Sequence, residues 1–350
     1  MLKKTIRRLG ALAMVLAMAV SVFAVNASAA EAEIDPAIKD VVIKKAVTVN
    51  ENTNLPNGTF TFALEATSKT YHNSQYSAAD VTAGAVTLTD NQIESSPDAT
   101  VVSGFLSDTA TIRIDASKFA QPGTYKWKVT ETGTYADGAN CATQVKYLIV
   151  NIIRNDAGTL EVESAGLVPA LDDTEGQEKQ DHFTNVYDSV KLDMSKAVNG
   201  KMGDKSKFFN FEVIIESSDS DKSYNIVNAN NQTATVSGPQ KTAVEGGKTQ
   251  YKYTVTMKDT GALTIYGLAG NDTWTVTETD TDSAYSTTVN GTAGKSASGN
   301  ASADSAAAFV NTATSSPVTG VIMTIAPYAL MLVVAGAFAV VFLTRRNRAE

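Results

Sequence analysis

Trp127-Lys128-Val129-Thr130-Glu131-Thr132 recurs later in the chain as Trp274-Thr275-Val276-Thr277-Glu278-Thr279, and the two stretches hold the only tryptophans among 350 residues. In both, an aromatic, a valine and a glutamate alternate with polar residues. A period of two is the signature of a strand with one buried face. Each stretch therefore predicts a β-strand that carries Trp, Val and Glu inward.

Three further signatures recur in the same order around that strand. Lys45-Ala46-Val47 precedes it and matches Lys196-Ala197-Val198; Phe60-Thr61-Phe62 matches Phe209-Asn210-Phe211; and Phe183-Thr184-Asn185 follows it and matches Phe309-Val310-Asn311. Four signatures in register imply a duplicated domain, with one copy over 30–188 and the other over 189–312. Alternation predicts strands over Val41–Val49, Thr59–Ala66, Ala110–Asp115, Thr124–Glu131 and Thr143–Arg154 in the first copy. In the second it predicts Val190–Val198, Phe208–Glu216, Thr249–Met257, Leu263–Tyr266 and Thr273–Glu278. No long amphipathic helix competes, so the fold class is all-β, two tandem β-sandwiches. The connection from Tyr187 to Leu192 has no Gly or Pro, which predicts a short, stiff junction and domains standing end to end as a rod.

The same alternation turns charged groups inward. Lys45 is in phase with Val41, Ile43 and Val47, and Lys196 with Leu192, Met194 and Val198. Asn185 is in phase with Phe183 and Tyr187, and Asn311 with Phe309. Each copy thus directs one Lys, one Glu and one Asn at its core. Buried unpaired charges are costly, so these groups must meet. Desolvation favours a neutral amine and a neutral acid. A neutral amine held against a carboxamide is a nucleophile, and a protonated Glu polarises the amide and shuttles protons as ammonia leaves. The product is a Lys–Asn isopeptide bond. For any one residue the ordinary alternative prevails: a lysine snorkelling from a strand edge, a glutamate past a strand end, an asparagine in a turn. Two complete sets in one order favour the cross-link, with Lys44 the substitute for Lys45.

Both ends of the chain read as processing segments. Residues 1–29 have basic residues, an apolar run and Ala27-Ser28-Ala29, the layout of a signal peptide. Residues 313–350 hold a polar spacer, Pro317-Val318-Thr319-Gly320, an apolar run from Val321 to Leu343 long enough to span a bilayer, and a basic tail. The formal net charge is −8, and it grows more negative once the basic leader and tail are set aside; such a surface disfavours nucleic acid. With Cys141 the single cysteine, no internal disulfide can form, and an extracellular chain needs another cross-link. Cys141-Ala142-Thr143-Gln144 has thioester-like spacing but reads as an ordinary half-buried thiol. His72 and His182 are isolated, and Asp280 to Asp282 lack calcium-loop spacing, so no metal, cofactor or His-based triad is expected.

The C-terminal order of motif, apolar stop and basic tail resembles the Leu-Pro-x-Thr-Gly sorting signal of Gram-positive surface proteins, with Ser316 where the common signal has Leu. That resemblance implies a sortase as partner, Thr319 as acyl donor between Pro317 and Gly320, and a cell-surface location. The order of Lys on a first strand, Glu after an aromatic-rich strand and Asn on a last strand is similar to the self-cross-linking pilin domains of Gram-positive bacteria. The two-domain layout resembles the streptococcal FctA-type major pilin. This resemblance implies Ig-like (CnaB-like) sandwiches whose first and last strands are neighbours, the bonds Lys45–Asn185 with Glu131 and Lys196–Asn311 with Glu278 as catalytic acids, and no enzymatic turnover. It further implies neighbouring pilin subunits, peptidoglycan and accessory pilins as partners, with Lys179 as candidate acceptor for Thr319 of the next subunit; an ordinary solvated lysine is the other reading of Lys179. The alternative to a shaft subunit is a wall-anchored adhesin that binds a host ligand; a surface enzyme lacks a catalytic constellation.

Overall fold

The computed structural model describes residues 37–67, 83–171 and 178–313. The leader over residues 1–29, His72, and residues 314–350 with Pro317, Thr319 and Gly320 lie outside the described residues. All the described residues fall in one compact unit, Pro36–Glu350.

The first half contributes β1 (Ile38–Val49), β2 (Gly58–Ala66), β3 (Val86–Thr89), β4 (Gln92–Ser95), β5 (Val101–Val102), β6 (Phe105–Leu106), β7 (Ala110–Asp115), β8 (Gly123–Tyr135), β9 (Gln144–Arg154), β10 (Leu160–Val168) and β11 (His182–Tyr187). They form a four-stranded sheet in the order β11-β1-β7-β3 and a five-stranded sheet in the order β10-β9-β8-β2-β4, with β5 and β6 paired apart. The second half contributes β12 (Val190–Asn199), β13 (Phe209–Ser217), β14 (Asn225–Asn228), β15 (Ala234–Ala243), β16 (Thr249–Met257), β17 (Ala262–Leu268), β18 (Thr273–Glu278), β19 (Tyr285–Val289), β20 (Thr292–Ala293), β21 (Ser296–Asn300) and β22 (Ser305–Ala313). Its sheets run β14-β17-β12-β22-β19-β20 and β15-β16-β13-β18-β21.

Each pair of sheets encloses its own core. Ile43, Phe60, Phe62, Val129, Leu148 and Phe183 belong to the first, and Leu192, Phe211, Val213, Val255, Ile265 and Phe309 to the second. The alternation that predicted the strands is the alternation that builds these cores: Trp127, Val129 and Glu131 are buried, as are Trp274, Val276 and Glu278. The expected strand ending at Glu131 continues to Tyr135. It can do so because Gly133 lies where a Cβ would come within 2.8 Å of the Phe60 ring and 2.5 Å of Cys141 Sγ.

One feature of the topology decides the chemistry. The first strand of each half pairs in parallel with the last: β1 with β11, placing Lys45 opposite Phe183 and Val47 opposite Asn185, and β12 with β22, placing Lys196 opposite Phe309 and Val198 opposite Asn311. The register is the same in both. Only Asp188 and Ser189 separate β11 from β12, and side chains bridge the junction, Asn50 Nδ2 donating to Ser189 O at 2.6 Å and Asn57 Nδ2 to the Asp219 carboxylate at 2.9 Å.

Candidate functional site: two buried Lys–Glu–Asn triads

In the first core, Lys45 and Glu131 are fully buried and Asn185 nearly so. Lys45 comes from β1 and Asn185 from the neighbouring β11, whereas Glu131 reaches across from β8 on the facing sheet, where it pairs with Phe62 of β2. Lys45 Nζ donates to Glu131 Oε1 at 2.9 Å and Oε2 at 3.1 Å, and also to Asn185 Oδ1. The Phe60 ring lies 4.2 Å from the same nitrogen, a cation–π contact that also excludes water. Burial lowers the Lys45 pKa against the pull of Glu131, and burial raises that of Glu131 against the pull of Lys45. Both shifts favour the neutral amine and neutral acid.

The second core repeats the layout with a different hydrogen-bond pattern. Lys196 Nζ donates to Glu278 Oε2 at 2.8 Å, and Asn311 Nδ2 donates to Glu278 Oε1 at 2.6 Å. Glu278 therefore bridges amine and amide. Asn311 Oδ1 is buried and has no hydrogen-bond partner among the described residues. Phe209 lies 4.2 Å from Lys196 Nζ, the counterpart of Phe60, and burial again lowers the lysine pKa.

The structure thus brings together all three expected side chains in each half. Lys44, the alternative to Lys45, points the other way and pairs with Asp181 at 2.6 Å, both half exposed. Lys179 is exposed on the approach to β11, its Nζ donating to Ala165 O of β10 at 3.2 Å. His182 sits beside Asp181 and Phe105, away from the triads' hydrogen bonds.

Sequence reading missed the residues that hold the Asn185 carboxamide. Gln144, opposite Glu131 in the β8–β9 register, donates from Nε2 to Asn185 Oδ1 at 3.1 Å and to Thr184 O. Asn185 Nδ2 donates to Ala142 O at 2.7 Å and lies 3.2 Å from Cys141 Sγ. Cys141 is a free, half-buried thiol, as expected, and the segment from Cys141 to Gln144 also cradles the amide. The available signal was the phase of Gln144 with Val150 and Ile152 on the inner face of β9.

Chemically, each arrangement can close an amide. In the first the amine lies against the Asn185 carbonyl, in the second Glu278 joins Lys196 to the Asn311 amide, and in both a carboxyl spans the proton path in a buried setting. Residues 41–188 match the family described as Spy0128-like isopeptide containing domain, and residues 190–313 match a domain family of unknown function, DUF7601. A curated Streptococcus pyogenes serotype M1 protein named Pilin is 27% identical over 325 residues, covering 88% of this chain and 91% of that protein. The Streptococcus pyogenes pilus tip adhesin Cpa is 34% identical over 133 residues, 37% of this chain and 18% of the adhesin. The crystal structure of the Streptococcus pyogenes major pilin, 23% identical, covers 78% of this chain and 98% of its own with a TM-score of 0.50, a likeness of fold. The first half thus matches the Spy0128-like isopeptide-domain family over residues 41–188, and the chain as a whole is similar to a streptococcal pilin along nearly its entire length.

Proposed function

We propose that this chain is the structural backbone subunit of a covalently polymerised surface pilus, each sandwich locked by its own isopeptide bond, Lys45–Asn185 and Lys196–Asn311. The observation that carries this reading is the parallel pairing of first and last strands in both halves, which sets a buried lysine beside an asparagine with a glutamate at hydrogen-bond distance. The amine attacks Cγ of the asparagine, the Cγ–Nδ2 bond breaks, and ammonia leaves with a proton relayed by Glu131 or Glu278. This is a single turnover, and no further catalysis is assigned to the chain.

The position of each bond suits a load-bearing part. Tension entering along the first strand and leaving along the last passes through the cross-link, and the rest of the sandwich is spared. Lys45 and Asn185 are 140 residues apart; closing such a loop reduces unfolded-state entropy by roughly 5 kcal/mol.

Assembly between subunits is the further step of this reading. A sortase cleaves after Thr319, and the threonine carbonyl passes to Lys179 of a neighbouring pilin or, for the last subunit, to peptidoglycan. Exposure of Lys179 next to an edge strand supports it as the acceptor. The partial likeness to a tip adhesin supports a second reading, an unpolymerised wall-anchored stalk that presents a host-binding module.

Intact mass of the expressed chain tests the internal chemistry. Two ammonia molecules are missing in the wild type, and one remains missing in Glu131→Ala and in Glu278→Ala; a mass equal to that of the linear sequence overturns the proposal. Immunoblots of wall extracts separate shaft from adhesin: a ladder lost in Lys179→Ala marks a polymer, and a single band marks the stalk.

A further inference from the structure

Away from both triads, three charged side chains meet where the first sandwich touches the second. Asp137 follows β8, Lys222 lies between β13 and β14, and Asp272 occupies the turn between β17 and β18. Asp137 is 1% exposed, Lys222 7% and Asp272 0%. Lys222 Nζ donates to Asp137 Oδ2 at 2.6 Å and to Asp272 Oδ2 at 2.5 Å. The rings of Tyr187 and Tyr224 flank that nitrogen at 5.9 and 5.3 Å. A lysine in an aromatic cage, one carboxylate, and a second side-chain carbonyl are the parts from which both triads are built.

The two carboxyl groups are not equivalent. Asp137 is fully hydrogen-bonded, with Tyr187 O–H and Lys222 on Oδ2 and Ala139 N–H on Oδ1. Burial works against its charge, but Lys222 and these donors outweigh it and hold its carboxyl below the ordinary range. In Asp272, Oδ2 accepts from Ala269 N–H and from Tyr224 O–H, each at 3.1 Å, while Oδ1 has no hydrogen-bond partner among the described residues. Burial pushes the Asp272 carboxyl up despite Lys222 and the nearby Ser217 hydroxyl. One carboxyl is held ionised in contact with the lysine's protons, and the other is pushed toward the neutral acid.

We propose that Lys222 and Asp272 condense into a third isopeptide bond, with Asp137 as the general base. The Lys222 ammonium gives one proton to Asp137, and its nitrogen attacks Cγ of Asp272. The developing oxyanion is on Oδ2, where Ala269 N–H and Tyr224 O–H already point. The second proton of the attacking nitrogen leaves with the Oδ1 hydroxyl as water. The Nζ–Cγ bond forms, the Cγ–Oδ1 bond breaks, and Asp137 ends protonated. A plain ion pair leaves Oδ1 buried and bare, at a cost. Condensation removes that atom and keeps the Ala269 and Tyr224 donors to Oδ2. Because Asp137 belongs to the first sandwich, the bond in the second closes only once the two halves have docked.

Tandem mass spectrometry of a digest of the full expressed chain tests the bond without any variant. The expected product is a branched peptide joining Lys222 to Asp272, one water lighter than its two arms. This is distinguishable from the triads, which lose ammonia and join other peptides, so either chemistry can fail alone. Linear peptides only mean an ion pair and overturn the proposal; a branch to Asp137 overturns the assignment of electrophile and base. Asp137→Asn keeps the shape and the Ala139 contact, and after refolding from denaturant it forms the branch about 100-fold more slowly. An unchanged rate removes Asp137 from the mechanism.

Discussion

Gln144 Nε2 donates to Asn185 Oδ1 at 3.1 Å, and no described residue donates to the equivalent oxygen of Asn311. In the proposed reaction the oxygen of the attacked amide carries the developing negative charge, and Gln144 is placed to serve as an oxyanion donor that the second triad lacks. Removing one such donor typically costs on the order of 100-fold in rate. Gln144→Ala is expected to slow the Lys45–Asn185 bond by about that factor and to leave Lys196–Asn311 unchanged. Chain recovered unfolded from inclusion bodies, refolded by dilution and sampled for intact mass over time, supplies both rates at once. Equal first-bond rates in variant and wild type sink the role.

Glu131→Ala removes the carboxylate from a lysine that is fully buried. An ammonium left alone in the core costs about 3–5 kcal/mol, and the missing cross-link withdraws roughly 5 kcal/mol more. The first sandwich should melt roughly 20–40 °C lower, while the transition of the second stays in place. Calorimetry resolves the two transitions; one undisplaced transition counts against the bond.

Much of the fold is legible in the sequence. Ala110–Asp115, Thr249–Met257 and Thr273–Glu278 are strands with the expected ends, because strict alternation on a two-layer sandwich leaves little freedom of register. The repeat together with strand phase turns Lys45, Glu131 and Asn185 inward, and all three are buried. β3, β14 and β15 were missed for the converse reason: they are edge strands with few fully buried positions, so their sequences carry little alternation. Gln144 could be put on a face but not beside Asn185, since β9 and β11 lie in different sheets. The Asp137–Lys222–Asp272 cluster was illegible, because all three sit in connections whose meeting depends on how the halves pack.

Lys44 and Lys45 are neighbours with opposite fates, and the difference is testable. Lys44 and its partner Asp181 are 42% and 50% exposed; an exposed pair contributes about 0–1 kcal/mol. Lys44→Ala should therefore keep both ammonia losses and shift the melting temperature by no more than a few degrees. Lys45→Ala keeps only the second loss. If Lys44→Ala abolishes the first loss instead, the register assigned to β1 is wrong.

The protonation states of the first triad set a pH profile for bond formation. The reactive pair is neutral Lys45 with protonated Glu131, which holds the same number of protons as the ion pair, so the two forms interconvert without pH dependence. Acid adds a proton and leaves an ammonium that cannot attack. Alkali removes one and leaves a carboxylate that cannot protonate the leaving amide. Burial lowers the Lys45 pKa and raises that of Glu131, which enlarges the neutral share of the pair at the pH values where the proton count is right. The refolding rate of the first bond is therefore expected to be bell-shaped in pH, falling on both sides of an optimum. Glu131→Gln removes the alkaline limb along with most of the rate, because a carboxamide does not titrate. A rate that climbs steadily with pH in the wild type, as for a free amine in water, means that Glu131 takes no part in proton transfer.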